Sequence, residues 1–209
     1  ISHFLEEVYH VTNKNDLLNI SLGNISETNG IEMFAVIDSL SAMIEHTNST
    51  EEAVRLTLMR AVAYSSSLNY QDALNDIEKV LKEQPDNFVA LWQKTVCSAM
   101  MAEYEKGTTA KENDLRNVGI IDNFNKLLKA SPDNPMILYC LGTYYARRAE
   151  YDKAIDCVSK AILHSPQMPY AYYNRGLAYQ KTGKSAEARK DFSKSGELGL
   201  YGAYNLLKK

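Results

Sequence analysis

Along residues 135–168, apolar positions recur at helical spacing in two separate runs. Leu138, Leu141, Tyr144 and Tyr145 predict a first helix from about Met136 to Ala149. Ala154, Ile155, Val158, Ala161 and Ile162 form one stripe and predict a second helix from about Tyr151 to His164. Small residues, Gly142 and Ala154, stand where the two backbones must approach, and Tyr145 fills the space left between the helices. Pro166 lacks an N–H and cannot continue the second helix, and it biases Ser165 away from helical angles. Pro169 suits the first turn of the next helix, where a missing N–H costs nothing.

This unit repeats. Pro132 and Pro166 lie 34 residues apart, as do Pro135 and Pro169. Laying 135–168 over 169–202 puts Gly142 on Gly176, Tyr145 on Tyr179, Ala154 on Ala188 and Lys160 on Lys194. Segment 54–87 joins the frame through Tyr64, Tyr70, Ala73, Lys79 and Pro85. The unit 88–134 spans 47 residues, with its surplus in Met100 to Arg116. Both its helices are expected to be longer by about one to two turns, with Gly107-Thr108-Thr109 at the joining turn and Asp114 as N-cap. The extension is either a finger that touches a partner or a solvated length variant.

The pattern resembles the tetratricopeptide repeat, a helix pair marked by an apolar or aromatic residue, Gly and Tyr in the first helix. Ala and an aromatic or apolar residue mark the second, and Pro closes the unit. Those positions are Leu138, Gly142, Tyr145, Ala154, Val158 and Pro166 in 135–168. In 169–202 they are Tyr172, Gly176, Tyr179, Ala188 and Phe192, with Leu200 where Pro is expected. In 54–87, Ala61 replaces the Gly and Ile77 the aromatic.

The resemblance implies an all-α solenoid, a right-handed α-α superhelix of four tandem helix pairs over 54–87, 88–134, 135–168 and 169–202. It further implies a concave groove, lined by the first helices, that binds a peptide or partner protein. The frame assigns Leu58, Met59, Val62 and Ser65 to that groove, then Trp92, Gln93, Val96 and Ala99. Tyr139, Thr143, Ala146 and Arg147 follow, then Tyr170, Tyr173, Asn174, Leu177 and Gln180. Trp92, Tyr139 and Tyr173 are either anchors for a partner or packing between repeats. Those three also occupy positions where the family's chaperone-tail binders carry a carboxylate clamp, so binding of an acidic chaperone tail is not expected. Tyr144, Tyr145, Tyr172 and Tyr179 are assigned to the core.

The ends depart from the frame. Residues 1–53 read as a divergent N-terminal helical cap or a partial repeat. Phe34, Ile37, Leu40, Ala42, Met43 and Ile44 predict an amphipathic helix over 31–46. Before it, His3 to Val11 is a short helix or an extended segment, and Asn13 to Asn29 is rich in Asn and Ser. Ala203, Leu206 and Leu207 predict a capping helix over 203–209. The ending is similar to that of long repeat proteins of Bacteroidetes-type bacteria. With Ile1 at its start, the chain is expected to be part of a longer or processed protein, leaving open a structural role as a capping segment of a longer array.

Composition narrows the function. Of 209 residues, 45% are hydrophobic and 23% charged, which suits a soluble domain of the cytoplasm or cell envelope. The net charge of −3 gives no basic face for nucleic acid, and no apolar run is long enough to span a membrane. Cys97, Cys140 and Cys157 lack CxxC spacing and read as core thiols. His3, His10, His46 and His164 are scattered, so neither a metal nor another cofactor is expected. Arg147, Arg148 and Arg175 either meet a ligand's carboxylate or phosphate or pair with neighbours such as Glu150. Carboxylates such as Asp72, Asp76, Glu78 and Glu83 are assigned to solvated faces. No nucleophile elbow, phosphate loop or dinucleotide fingerprint occurs, so catalysis is not expected. A deep pocket with converging polar groups would revive a catalytic or small-molecule reading.

Overall fold

A computed structural model describes residues 30–104 and 110–208, with side chains over 34–101 and 118–207. The described residues are helical and contain no strand. The readings of His3–Val11, Asn13–Asn29 and the turn at 107–109 lie outside them. The chain divides into two units, residues 1–127 and 128–209.

In the first unit, α1 (Gly30–His46), α2 (Thr50–Ser66), α3 (Tyr70–Glu83) and α4 (Phe88–Tyr104) pack in sequence order. The next helix, α5 (Ala110–Ala130), crosses the division between the units. Both α4 and α5 exceed the helices of the later pairs, at 17 and 21 residues against 13 and 14. Because α5 begins at Ala110, Asp114 falls inside the helix rather than at its cap. Ile37 and Leu40 of α1 join Leu56, Leu58, Met59 and Val62 of α2 and Ile77 of α3 in one core cluster. Burying a side chain of this size contributes about 1.5–3 kcal/mol.

In the second unit, α6 (Pro135–Arg147), α7 (Tyr151–His164), α8 (Pro169–Lys181) and α9 (Ser185–Glu197) follow one another as packed neighbours. Pro135 and Pro169 open α6 and α8. Buried Asn134 caps α6, its Oδ1 accepting from the N–H groups of Met136 (3.0 Å) and Ile137 (3.2 Å). Gly142 is obligatory because a Cβ there would lie 2.5 Å from the Val158 side chain and 3.1 Å from the Ala154 carbonyl oxygen. A 3-10 helix over Tyr201–Lys208 closes the unit, with buried Ala203 in a cluster with Ala188 and Phe192.

The turns inside the pairs share one geometry. The N–H groups of Asn69, Glu150 and Lys184 donate to the carbonyls of Tyr64, Tyr145 and Tyr179 at 2.9, 3.0 and 2.9 Å. Each bond spans a residue in the left-handed region: Leu68 (φ 63°), Ala149 (φ 60°) and Gly183 (φ 77°). Only glycine adopts that region without penalty, which for other residues is about 1–2 kcal/mol. Packing, not local preference, sets the turn.

A second shared device ties three helices together. Arg60 on α2 donates from Nε and Nη2 to Asp76 on α3 at 2.7 and 2.9 Å, and from Nη1 to Ser41 Oγ on α1 at 2.8 Å. Arg175 on α8 repeats this with Asp191 on α9 at 2.7 and 2.8 Å and with Ser159 on α7 at 3.0 Å. The expectation that Asp76 sits on a solvated face is therefore corrected, because this bidentate fork draws it into the interface, where it is 2% exposed. Asp72, Glu78 and Glu83 are exposed as expected. The pair 135–168 has Leu141 and Cys157 at the corresponding positions, neither of which can form such an ion pair.

Candidate functional site

The second unit contains a cleft of about 490 Å³ between its two first helices, α6 and α8. Tyr139, Thr143, Ala146 and Arg147 line it from α6, and Asn174, Leu177, Ala178 and Lys181 from α8. Tyr151, at the start of α7, completes the wall. The helical repeat explains the selection, since residues at i, i+4 and i+8 of one helix point the same way.

At the centre, the Asn174 Nδ2 donates to Tyr139 Oη at 3.0 Å and to Thr143 Oγ1 at 3.1 Å. Both amide hydrogens are thereby used within the unit, and the carbonyl Oδ1 is held in one orientation as an acceptor. Burial pushes the Tyr139 phenol above its ordinary pKa, so it stays a neutral hydroxyl near pH 7. The Tyr139 ring also packs against the Val158–Ile162–Ala171 cluster. The floor is polar and neutral, and two exposed cations, Arg147 and Lys181, stand at the ends of α6 and α8.

The predicted groove residues divide between the units. Tyr139, Thr143, Ala146, Arg147, Asn174 and Leu177 converge on the cleft. Tyr170 is exposed outside its wall, Gln180 is exposed as well, and Tyr173 packs on Phe192 with ring centroids 6.0 Å apart. In the first unit the expected open face is not observed among the described residues. Leu58, Met59, Val62, Trp92 and Gln93 are all buried, and Val96 is half-buried. Leu58, Met59 and Val62 sit in the core cluster with Ile37 and Leu40, so the direction the frame gave to a groove is occupied by packing. Gln93 is 1% exposed, and neither its Oε1 nor its Nε2 has a hydrogen-bond partner among the described residues.

Lys181 and Tyr151 were not among the expected groove residues. Lys181 follows Arg147 by 34 residues, so the repeat frame itself carried the signal. Tyr151 belongs to a second helix, which the frame assigns away from the groove.

The three arginines have distinct settings. Arg148 pairs with Glu150 at 2.9 Å, Arg175 is held by Asp191, and Arg147 lines the cleft. Hydrogen bonds from Lys153 and Arg148 hold the Glu150 carboxyl below its ordinary range. Tyr144 is buried, while Tyr145, Tyr172 and Tyr179 are half-buried.

The thiols are poor nucleophiles. Cys97 is buried, Cys140 and Cys157 are half-buried, and burial pushes the first two up to about 12. His164 lies 3.4 Å from Asp133 in the last turn of α7. Among the described residues, no group of His, Cys, Asp and Glu could hold a metal ion. No described helix is long and apolar enough to cross a membrane.

Comparison with known proteins adds the family. One tetratricopeptide-repeat profile matches residues 123–156 and another matches residues 169–198. Solved structures of MamA share the fold. One is 22% identical with a TM-score of 0.66, over 83% of this chain and 92% of that one. A second is 19% identical with a TM-score of 0.64, over 98% and 96%. MamA 41-end from Desulfovibrio magneticus RS-1 is 19% identical with a TM-score of 0.59, over 81% and 96%. At these identities the likeness is one of fold. No curated protein sequence matches the chain.

Proposed function

Since the chain belongs to the tetratricopeptide-repeat family, we propose that it is a non-catalytic scaffold whose second unit holds an extended segment of a partner protein in the α6–α8 cleft. One observation carries this reading: the Asn174 amide is fixed by Tyr139 and Thr143 on the floor of a cleft bounded by helices. An acceptor already oriented before binding meets a peptide N–H without the ordering cost that a free side chain would incur. Tyr139, Tyr151 and Leu177 supply apolar surface for a neighbouring side chain. The buried thiols and the neutral floor offer no activated nucleophile, which accords with binding rather than turnover.

The test is selection of peptides on the full chain, followed by affinity measurement against Asn174→Ala and Tyr139→Ala. The expected result is at least a tenfold loss in Kd for both variants with their helical content retained. Peptides that bind both variants as well as the parent chain would remove the cleft from the reading.

A further inference from the structure

We propose that the first unit carries a site of its own, a cavity between α2 and α3 that takes a tyrosine side chain of a partner segment. It shares no residue with the α6–α8 cleft, so it stands independently of the function just proposed. The cavity measures about 430 Å³ and lies where the start of α2 meets the end of α3. Ala53, Val54 and Thr57 line it from the one helix and Val80 from the other.

The repeat frame accounts for the space. Thr57 is the fourth residue of its pair, and the fourth residues of the other pairs are Leu91, Leu138 and Tyr172. Leu138 is buried and Tyr172 packs against the Val158–Ile162–Ala171 cluster, so this position elsewhere carries a large side chain into an interface. Thr57 is smaller than each of them and leaves the α2–α3 contact open at this end.

The walls select the occupant. Thr57 is 6% exposed, and its hydroxyl meets no hydrogen-bond partner among the described residues. Thr95, buried in α4, shows the usual alternative, donating to the Leu91 carbonyl one turn back at 2.7 Å. A buried hydroxyl left without a partner carries a desolvation cost that a hydroxyl on the ligand relieves. A phenol supplies that hydroxyl at the tip of a ring that Ala53, Val54 and Val80 can cover, and tyrosine is the residue the chain itself places at this position in its last pair. Charge does not choose the ligand: Lys79 is tied to Asp76 at 2.8 Å, and Lys82 lines the cavity together with Glu83. Asn48, on the turn before α2, places an exposed side-chain amide on the rim for the backbone that flanks an inserted tyrosine.

The test is titration of the nitrogen-labelled full chain, followed by amide NMR shifts, with acetyl-Ala-Tyr-Ala-amide, its Phe counterpart, p-cresol and toluene. Saturable shifts centred on Thr57 and Val80 are expected, with the Tyr peptide roughly tenfold tighter than the Phe peptide and p-cresol tighter than toluene. Thr57→Val keeps the shape and removes the hydroxyl, so it should bring the Tyr and Phe peptides to equal affinity. Thr57→Leu, which copies the fourth residue of two other pairs, should abolish binding of every probe and raise the melting temperature, so that lost binding is not lost fold. Absence of saturable shifts, or undiminished binding by Thr57→Leu, would overturn the site. Equal affinity of the parent chain for the Tyr and Phe peptides would overturn its choice of tyrosine, and a Tyr peptide no tighter than p-cresol would overturn the partner segment as its source.

Discussion

The two units have the same helix pairs but differ on one face. At the fifth residue of each pair the first unit has Leu58 and Trp92, the second Tyr139 and Tyr173; four residues on, Val62 and Val96 in the first unit correspond to Thr143 and Leu177 in the second. Leu58, Val62 and Trp92 are at most 2% exposed, whereas Tyr139 and Thr143 remain half-exposed and hydrogen-bonded to Asn174. One frame therefore yields a packed surface in one unit and a polar cleft in the other. A repeat fixes which way a side chain points, and its chemistry decides whether that direction becomes core or site.

The largest effect that would sharpen this contrast is at Trp92. Trp92→Ala should cost about 3–5 kcal/mol in urea unfolding and leave the affinity of a peptide bound at the second unit's cleft unchanged. Loss of peptide affinity with little loss of stability would break the comparison. Next comes the arginine fork that both units share. Arg175→Leu should cost about 3 kcal/mol because Asp191 is left buried without its partner. Adding Asp191→Cys, which copies the Leu141–Cys157 combination of the neighbouring pair, should recover most of that loss in the same measurement. At Gln93 the sign reverses. Gln93→Met removes a buried amide with no hydrogen-bond partner among the described residues and should stabilise the chain by about 1 kcal/mol, read from the denaturation midpoint. The smallest effect is in the turns: Ala149→Gly, matching Gly183, should raise stability by about 0.5 kcal/mol as left-handed strain is relieved against a greater unfolded-state entropy. An unchanged or lower melting temperature for that variant would separate the two turns.

Much of the helical layout was legible because apolar periodicity and proline spacing encode it directly. The stripe from Phe34 to Ile44 predicted a helix over 31–46, and α1 covers Gly30–His46. Gly142 and Ala154 marked a close approach that the structure contains. Six of the expected groove residues line the cleft because their direction follows from helical phase. What phase cannot supply is whether another element already covers that direction, and Leu58, Met59 and Val62 were misread on this account. The fork was missed for another reason. Arg60 to Asp76 and Arg175 to Asp191 are both 16 residues apart, a recurrence visible in the sequence once charge is followed across a pair rather than along one helix. Lys181 escaped in the same way, as a residue matched to Arg147 only through the repeat.

The fork also bears on how such a chain can be divided. Arg60 and Arg175 each take a hydroxyl from the helix upstream of their own pair, Ser41 and Ser159. A fragment that began at Thr50 or at Pro169 would sever that bond and leave a guanidinium N–H turned toward water. The piece that could be transplanted whole is a pair together with the helix before it, so its natural border runs one helix ahead of the 34-residue period.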